Sequence, residues 1–347
     1  MNDFRTILPP ARASFSIGYA DRLMLVGSCF TENMGKRLKE SKFQALTNPF
    51  GIVYNPVSMA SSLEYLLSEH CPFTEQDLFE NAGLWHSWEH HGHFSRPDRK
   101  AALTGVLDAW QSFSKHLKVT NRLLLTFGTS DVFTLLKTGQ VVANNHKMPG
   151  ALFEQRRLSV SETVEKVQSV LEKIKERNPD LEVVLTVSPV RHLRSGLVEN
   201  QRSKAVLVLA CEEICRTLPY AHYFPAYELL IDDLRDYRFY DTDMVHPSAL
   251  AEEYVWAFFK KTFFTETTEK VLGRVEKIRA AAQHRPFHPN TPQHQAFVQA
   301  QLADINQMEQ EYPGLDFEEE KRKHGLRGEG REHGLHGEDG SARIGFR

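Results

Sequence analysis

Short runs of apolar residues alternate with segments of helical periodicity along most of the chain. Four runs, which begin near Leu23, Phe43, Leu123 and Leu181, have the length of buried strands, and a fifth is predicted at residues 221–225. Continuous apolar strands separated by amphipathic helices are typical of a parallel sheet covered on both faces. The pattern therefore predicts an α/β fold: a three-layer sandwich whose mainly parallel sheet has about five strands.

The clearest helix is predicted at residues 159–177, where apolar residues recur at helical spacing. Ser159 and Glu162 have the spacing of a capping box, and Asn178-Pro179 ends the pattern. The other predicted helices of the chain lie at about residues 31–40, 203–218, 248–264, 267–283 and 292–311.

The pattern divides the chain into three parts. Residues 1–264 are predicted to form the main domain, with a mostly helical insertion at about 57–118. Residues 265–316 carry helical periodicity without an intervening strand, so they are predicted to form a helical extension. The tail at 317–347 is charged and rich in glycine. Because such a segment buries little apolar surface, it is predicted to be disordered.

Composition narrows the class of protein. The 347 residues carry a formal net charge of -3, and a nucleic-acid-binding surface usually shows as a basic excess, so we expect no nucleic-acid partner. No apolar run is long enough to span a membrane, and the first residues lack the form of a secretory signal. The cysteines lack zinc-site spacing, which predicts reduced thiols and a cytoplasmic protein. The oligomeric state stays open.

Candidate chemistry lies where the predicted strands end, because ligands of open α/β sheets bind beyond the carboxyl ends of the strands. Gly27 and Ser28 follow the first strand and open a helix, while Asp243 and His246 follow the last strand. A serine hydroxyl needs an adjacent base, and an aspartate can orient that base. The arrangement therefore predicts Ser28 as a nucleophile, His246 as its base and Asp243 as the orienting carboxylate.

Two residues at the end of the fourth predicted strand have two possible roles. Arg191 and His192 would contact an anionic or polar group of a substrate if they face the same site. The alternative is a buried ion pair of Arg191 with a carboxylate such as Asp236 or Glu228.

Several motifs together resemble those of a known family. They are Gly27-Ser28-Cys29-Phe30, Asn48-Pro49-Phe50-Gly51, Phe127-Gly128-Thr129, residues 144–149, residues 186–192, residues 223–228 and residues 234–247. Their order resembles that of the SGNH hydrolases, and more closely that of the GSCFA family, a branch of that superfamily. The resemblance spans about residues 5–264 and implies an α/β fold of the SGNH or flavodoxin-like type.

The resemblance also implies how the site is built. It assigns the nucleophile to Ser28 and completes the triad with Asp243 and His246. In the superfamily, a glycine N–H and an asparagine amide usually bind the oxyanion. Here the asparagine is missing after Gly128. The residues that the resemblance offers as oxyanion or substrate-binding groups, besides Arg191 and His192, are Asn48, Gly51, Gly128, Thr129, Asn144, Asn145 and His146.

Two alternatives concern other side chains of the predicted site. Cys29 adjoins Ser28 and could itself be the nucleophile, although neighbouring residues at a strand end point in different directions. The segment His86–His93 contains four histidines and a glutamate, which could bind a metal or form the rim of the site. Three aromatic residues of this region, Trp85, Trp88 and Phe94, could form an apolar or sugar-stacking wall.

The sequence predicts a serine hydrolase, an esterase or deacylase that cleaves an O-acyl ester and uses no cofactor and no metal. The expected partner is a small-molecule or carbohydrate-linked acyl ester. The alternative is a catalytically weak or inactive SGNH-like binding protein that recognises an acylated or glycan ligand. The absent asparagine of the third motif favours this alternative, because loss of one oxyanion donor typically lowers the rate about 10²–10³-fold.

Overall fold

The predicted apolar runs form one parallel sheet in the computed structural model, which describes residues 5–284, 287–288 and 291–324. In chain order, the strands of the described residues are β1 (Arg22–Gly27), β2 (Gln44–Thr47), β3 (Leu78–Asn81), β4 (Leu84–Ser87), β5 (Arg122–Phe127), β6 (Asp131–Leu135), β7 (Val141–Val142), β8 (Phe153–Arg157), β9 (Glu182–Val187) and β10 (Ala221–Tyr223). The central sheet has the order β10-β9-β5-β1-β2, and each pair is parallel. This confirms the predicted five-stranded α/β sheet.

Helices cover both faces of the sheet. The helices of the described residues are α1 (Cys29–Glu40), α2 (Pro56–Leu67), α3 (Arg99–Leu117), α4 (Val160–Arg177), α5 (Leu197–Thr217), α6 (Ala226–Glu228), α7 (Ala249–Phe263), α8 (Glu266–Gln283), α9 (Pro292–Glu311) and α10 (Glu318–Lys323). Helix α4 begins with the predicted capping box, in which the backbone N–H of Glu162 donates to Ser159 Oγ over 3.1 Å and the Glu162 carboxylate accepts from the Ser159 N–H over 2.8 Å. Within the part of the chain that the structure describes, no helix is long and apolar enough to cross a membrane.

Alternation along β1 separates the core into two clusters. Met24 and Val26 pack with residues of α2, α3, α4 and α5, which we call the α5-side cluster. Leu23 and Leu25 pack with residues of α1 and α7, which we call the α7-side cluster. Because successive side chains of a strand point to opposite faces, this alternation produces the three predicted layers.

Two small antiparallel sheets accompany the central one. The segment predicted as mostly helical at 57–118 is helical at its two ends, where α2 and α3 lie, but between them β3 and β4 form a hairpin. After β5, the strands β7, β6 and β8 form a three-stranded sheet. These strands are short and partly polar, so their sequence lacks the continuous apolar run that marks the central strands.

The register of the central sheet sets the level of the strand ends. Gly27 at the end of β1 pairs with Thr126 of β5, and Thr126 pairs with Thr186 of β9. Gly27 has a φ of 152°, and a Cβ at this position would lie 2.4 Å from the Thr126 carbonyl oxygen. A glycine is therefore required where β1 turns into α1.

The contacts of the chain divide it into two units, Met1–Gly273 and Arg274–Arg347. In the second unit, Arg274 forms ion pairs with Asp304 over 2.7 Å and with Glu311 over 2.5 Å. The first part of the segment predicted to be disordered is ordered, because Phe317 is fully buried and α10 follows it. Residues 325–347, the remainder of the predicted tail, lie outside the described residues.

Candidate active site

Asp243 and His246 form a hydrogen-bonded pair in the loop before α7. Asp243 Oδ2 lies 2.6 Å from His246 Nδ1. Its other oxygen, Oδ1, accepts the backbone N–H groups of Val245 over 2.8 Å and of His246 over 2.9 Å. The carboxylate thus holds both the loop and the ring, and it leaves Nε2 of the imidazole for another partner. Each of the two side chains is 48% exposed.

The electrostatics of this pair are those of an ion pair. Partial burial raises the pKa of Asp243, but the hydrogen bonds from His246 and Val245 outweigh this effect and lower it to about 2. A hydrogen bond with the Cys29 side chain is the largest influence on His246. Together with the Asp243 carboxylate, it raises the pKa of the imidazole to about 9 despite partial burial. The imidazolium form is therefore favoured at neutral pH.

Cys29, two residues after the end of β1, is the side chain with the largest influence on the pKa of His246. It is the first residue of α1, and it is half-buried. Its side chain packs against the α7-side cluster, as does Val245 of the Asp243–His246 loop. The first turn of a helix carries unpaired N–H groups and the positive end of the helix dipole, so an anion at this position is stabilised.

The predicted nucleophile Ser28 makes no hydrogen bond to His246. Its side chain is fully buried, and its Oγ has no hydrogen-bond partner among the described residues. Its backbone N–H donates to the Thr126 carbonyl over 3.4 Å, which ties the residue to β5. Ser28 as the nucleophile therefore stays a prediction of the motif, while the neighbouring Cys29 is the side chain that influences the pKa of His246.

Asn48 and Gly51, which were candidates for the oxyanion hole, serve the loop instead. Asn48 Oδ1 accepts the Gly27 N–H over 2.8 Å, and its amide group donates to Glu32. The Gly51 N–H donates to the Asn48 carbonyl over 3.0 Å. Gly51 has a φ of 84°, and a Cβ there would lie 2.2 Å from the Cβ of His91. Asn48 and Gly51 thus hold the end of β1 in place, and their backbone N–H groups already donate to carbonyls of the protein.

Gly128 and Thr129 are also engaged by the protein. Both backbone N–H groups donate to the Tyr54 carbonyl, over 2.8 Å and 3.0 Å. The Thr129 hydroxyl lies 3.0 Å from Ser203 Oγ and accepts the Asp131 N–H over 3.0 Å. They position the end of β5, and neither N–H is available to an oxyanion.

His192 faces this strand end with an unused ring nitrogen. Its Nε2 is buried and has no hydrogen-bond partner among the described residues. The same atom lies 3.1 Å from the position that a Cβ of Gly128 would occupy. The ring also contacts Tyr54 edge-on, with 5.3 Å between centroids. Burial, and then the charges of Lys204 and His246, lower the pKa of His192 to about 3, so the ring is neutral.

Arg191 supports the loop that carries Asp243 and His246. Its backbone N–H donates to the Val245 carbonyl over 3.2 Å, and its guanidinium donates to the Met244 carbonyl over 3.3 Å. The guanidinium also lies 3.9 Å from the centre of the Tyr240 ring.

The ion pair considered for Arg191 is not formed with either named carboxylate. Asp236 pairs with Arg238 over 3.0 Å, and Glu228 accepts the Tyr223 hydroxyl over 2.8 Å. Arg191 therefore acts through the carbonyls of the loop and an aromatic ring.

The motif at residues 144–149 lies against the β4 segment. Asn144 Oδ1 accepts the backbone N–H of His146 over 2.9 Å, and Asn145 Oδ1 accepts that of Lys147 over 3.2 Å. His146 Nε2 lies 2.7 Å from the Ser87 carbonyl oxygen. In the described part of the chain, these contacts connect the motif to the hairpin and not to Cys29 or His246.

The first part of the histidine-rich segment is packed against the protein, with His86 and His90 buried, whereas His93 is exposed. His86 Nδ1 lies 2.7 Å from Ser95 Oγ, and His90 Nδ1 lies 2.8 Å from Ser87 Oγ. Trp88 stacks on Phe79 with 3.7 Å between ring centres. Within residues 5–284, 287–288 and 291–324, no three histidine, cysteine or acidic side chains are grouped as metal ligands would be.

The order of these elements and motifs is that of one protein family. A sequence model described as the GSCFA family matches residues 22–259, which is more than half of the chain. The chain belongs to the GSCFA family. A second model, described as the C-terminal domain of GSCFA domain proteins, matches residues 275–324. The predicted family is thereby confirmed. No curated protein matches the chain significantly.

Distant likenesses to solved structures accompany this assignment. A Clostridium thermocellum family 3 carbohydrate esterase is 12% identical, with a TM-score of 0.31, and the match covers 73% of this chain and 97% of that one. An acetyl xylan esterase from the rumen bacterium Butyrivibrio proteoclasticus is 9% identical, with a TM-score of 0.34, and the match covers 76% of this chain and 64% of that one. Likenesses at this level carry no information on the activity of the GSCFA domain.

Sequence reasoning missed two residues of the GSCFA site. Tyr54 supplies the carbonyl that accepts the N–H groups at the end of β5. Burial, and to a lesser extent the charge of Cys29, raises the pKa of its side chain to about 12. Lys204 lies fully buried in α5 and donates to the Gly128 and Ser188 carbonyls. A signal for Lys204 was present, because it occupies the helical position three residues before the buried Leu207.

Proposed function

We propose that the GSCFA domain is an acyl-ester hydrolase in which Cys29 is the nucleophile, His246 the general acid and base, and Asp243 the residue that orients it. Two observations carry this proposal: Asp243 holds the His246 ring through Nδ1, and the Cys29 side chain is the largest influence that raises the pKa of this imidazole. A thiolate is the nucleophilic form of cysteine, and a neighbouring imidazolium together with a helix N-terminus stabilises it.

The first half of the reaction transfers the acyl group to sulfur. The Cys29 thiolate attacks the ester carbonyl and forms a tetrahedral intermediate with the negative charge on oxygen. As the intermediate collapses, the bond to the alkoxy group breaks and the His246 imidazolium donates its Nε2 proton to the leaving oxygen. The products are an alcohol and a thioester on Cys29.

The second half restores the enzyme. Neutral His246 accepts a proton from water, and the resulting hydroxide attacks the thioester carbonyl. Cleavage of the carbon–sulfur bond releases the carboxylic acid and returns the Cys29 thiolate beside the imidazolium. Asp243 keeps the Nδ1 hydrogen bond through both halves, so Nε2 always faces the reacting atoms.

Two sources of hydrogen bonds support the oxyanion in this proposal. The first is the backbone N–H groups of Cys29 and Phe30 at the start of α1, since the next one, that of Thr31, already donates to the Ser28 carbonyl over 2.8 Å. The second is His192, whose neutral ring would donate from Nε2 in place of the missing asparagine amide. Its buried and unpartnered nitrogen at the end of β5 supports this role.

The proposal is restricted to the acyl group of the substrate. Two of the side chains predicted to form a sugar-stacking wall have partners within the protein. The Arg99 guanidinium lies 4.7 Å from the Trp85 ring centre, and Trp88 is stacked on Phe79. We therefore restrict the proposal to a small acyl ester, and a carbohydrate carrier stays a prediction of the sequence.

Trapping of the acyl-enzyme tests the function. We expect para-nitrophenyl acetate to produce a burst of nitrophenolate and to add one acetyl group to the peptide that contains Cys29. Hydroxylamine at neutral pH should remove this group, because it cleaves thioesters much faster than oxygen esters. The measurement is peptide mass spectrometry after acid quenching, with Cys29→Ala as the control that should stay unmodified.

Other outcomes of this experiment would contradict the proposal. A hydroxylamine-resistant acetyl group on Ser28 would return the nucleophile to the serine predicted from the motif. Failure of the native protein to become acylated or to hydrolyse any short acyl ester would favour the SGNH-like binding protein.

Substitution of His192 tests the oxyanion assignment. We expect His192→Ala to lower kcat about 10²–10³-fold with little change in KM, because the donated hydrogen bond strengthens only in the transition state. His192→Gln should recover part of the loss, since its amide can donate to the same oxygen. Steady-state kinetics on the same ester measure both parameters.

A matched histidine keeps this test specific. His222 lies on the edge strand β10 and pairs with Glu182 over 3.0 Å, so His222→Ala should leave kcat unchanged. If His192→Ala raised KM and left kcat intact, the residue would contact the substrate without stabilising the oxyanion.

A further inference from the structure

The loop of residues 241–246, which carries Asp243 and His246, is mostly exposed, and hydrogen bonds order its backbone. The Asp241 N–H donates to the His246 carbonyl over 2.8 Å, and the Met244 N–H donates to the Asp241 carbonyl over 2.9 Å. Met244 has a φ of 57°, in the left-handed region that residues with a Cβ rarely adopt. A residue keeps such a conformation only where the surrounding structure stabilises it. The loop therefore needs support from another segment.

Arg191 supplies this support. Its backbone N–H donates to the Val245 carbonyl over 3.2 Å, and its guanidinium donates to the Met244 carbonyl over 3.3 Å. In the described part of the chain, these are the two hydrogen bonds that reach the backbone of residues 241–246 from another segment. Arg191 thus holds the two carbonyls that directly precede His246, one of which belongs to the residue with the left-handed conformation.

An aromatic ring holds the guanidinium in turn. The guanidinium lies 3.9 Å from the centre of the Tyr240 ring and 5.4 Å from that of Tyr237. Tyr240 forms a β-bridge with Pro247, directly after the loop. It is 7% exposed and packs in a cluster with Leu230, Leu234 and Ala251. The ring that Arg191 contacts is therefore itself fixed in the core.

The segment that carries Arg191 is fixed on both sides. Val190 is buried in the α7-side cluster. The backbone N–H of His192 donates to Oδ1 of the buried Asn200 over 2.8 Å. Because both neighbours of Arg191 have their own partners, the arginine connects the exposed loop to an ordered part of the fold.

We propose that Arg191 is a positioning residue, which holds the loop of residues 241–246 in the conformation that keeps the His246 ring on the Asp243 carboxylate. The inference rests on the proposed role of His246. Asp243 contacts the ring and also accepts the N–H groups of Val245 and His246, so the loop conformation and the ring contact depend on each other. The competing role is the one considered from the sequence, in which Arg191 contacts an anionic group of the substrate.

An arginine suits this position better than a lysine. The planar guanidinium can lie on a ring and donate to a carbonyl at the same time, whereas an ammonium group is a compact charge without a flat face. Lysine at position 191 could still reach the Met244 carbonyl, but it would lose most of the contact with the Tyr240 ring. We therefore expect a lysine to keep only part of the effect.

The titration of His246 tests the proposal without a substrate. The ring is followed by ¹H–¹⁵N NMR of protein labelled with ¹⁵N-histidine, and its signals are assigned by comparison with His246→Gln. Hydrogen bonds and charges of Cys29 and Asp243 raise the pKa of this ring to about 9. We expect Arg191→Gln to lower the midpoint by about one pH unit or more, because a less ordered loop weakens the contact with Asp243.

The direction of the shift separates position from charge. Arg191 is a cation next to the loop, so its charge alone disfavours the imidazolium, and removal of that charge alone would raise the midpoint of His246. Loss of positioning lowers the midpoint instead. A midpoint that rises or stays unchanged in folded Arg191→Gln would overturn the proposal.

A conservative variant keeps the charge. Arg191→Lys should have a midpoint between those of the native protein and Arg191→Gln, although the charge at this position is the same as in the native protein. If Arg191→Gln does not fold, Arg191→Lys decides alone, and a native midpoint in it would overturn the proposal.

The matched control is another arginine of the same segment. Arg194 lies three residues further along, and its guanidinium lies 5.6 Å from the centre of the Phe133 ring in β6. Arg194→Gln removes the same charge without removing a contact with the loop, so the midpoint of His246 should be native. An equal fall in Arg194→Gln and in Arg191→Gln would overturn the proposal.

Steady-state kinetics separate this inference from the proposed hydrolase. We expect Arg191→Gln to lower kcat for a short acyl ester about 10–10²-fold with little change in KM, because a misplaced base affects the reaction more than binding. A raised KM with native kcat would overturn the proposal and assign Arg191 to the substrate. If the native protein hydrolyses no ester, the proposed function fails, but the titration of His246 still decides the role of Arg191.

Discussion

Cys29→Ala is expected to lower kcat for ester hydrolysis by about 10⁵–10⁶-fold, the magnitude typical for loss of a nucleophile from a triad. Ser28→Ala is expected to keep most of the activity, because Ser28 Oγ is buried and makes no hydrogen bond within the described residues. This contrast is the clearest test of the proposal, because substitutions of two adjacent residues should differ by several orders of magnitude in their effect on kcat. Initial rates with a short acyl ester measure it.

Two controls complete this comparison. Cys71→Ala removes a thiol of the α5-side cluster and should leave kcat unchanged. Cys29→Ser keeps a nucleophile of similar size but replaces the thiol by a hydroxyl that ionises far less readily, so we expect most activity to be lost. Full activity in Cys29→Ala together with an inactive Ser28→Ala would refute the cysteine assignment.

His246→Ala is expected to cost nearly as much as loss of Cys29, because triad members act as a unit. Asp243→Asn should lower kcat less, by about 10³–10⁴-fold, since the ring would lose its orientation and its ionic partner but the nucleophile would remain. The two backbone N–H groups that Asp243 Oδ1 accepts can still bond to the asparagine oxygen, so the loop should stay folded. Kinetics and circular dichroism on both variants measure these effects.

The pH dependence gives this pair a second test. Because the pKa of His246 is raised to about 9, the imidazolium persists through neutral pH and is lost as the pH rises through that value. The alkaline limb of kcat/KM should therefore lie near pH 9 in the native protein. Asp243→Asn removes one of the hydrogen bonds that raise the pKa, so the limb should move to lower pH. An unmoved limb would mean that Asp243 does not set the protonation of His246.

The sequence alone predicted the sheet and the loop on which this site is built. Continuous apolar strands and amphipathic helices predicted the parallel sheet, and Asp243 and His246 were found three residues apart in one loop. Such features are local, because hydrophobic periodicity and short spacing need no knowledge of distant contacts. The hairpin of β3 and β4 was missed, since its short strands depend on pairing rather than on an apolar run.

The choice of the proposed nucleophile depends on one sequence position, Ser28 or the adjacent Cys29. In β1, Leu23 and Leu25 point to the α7-side cluster, and Cys29 shares their parity while Ser28 shares that of Val26. The loop with His246 leads into α7, so the proposed base and Cys29 lie on the same side of the sheet. The motif alone does not contain this information, because it requires knowing which helix covers which face.

The oxyanion candidates depended on contacts between distant segments. The sequence offered the backbone N–H groups of Gly51 and Gly128 as oxyanion donors. In the structure, the carbonyls of Asn48 and Tyr54 already accept them. His192 gains its role only because its ring reaches the end of a different strand. Such hydrogen-bond partners are set by the tertiary fold, and no local pattern predicts them.

The separation of the core into two clusters has a consequence for oxidation of the protein. Cys71, Cys211 and Cys215 contribute to the α5-side cluster, whereas Cys29 packs on the opposite face of the sheet. An oxidised Cys29 therefore has no resolving thiol in its own chain with which to form a disulfide. A sulfenic acid at this position would be rescued by a small external thiol such as glutathione, or would proceed to the irreversible sulfinic acid.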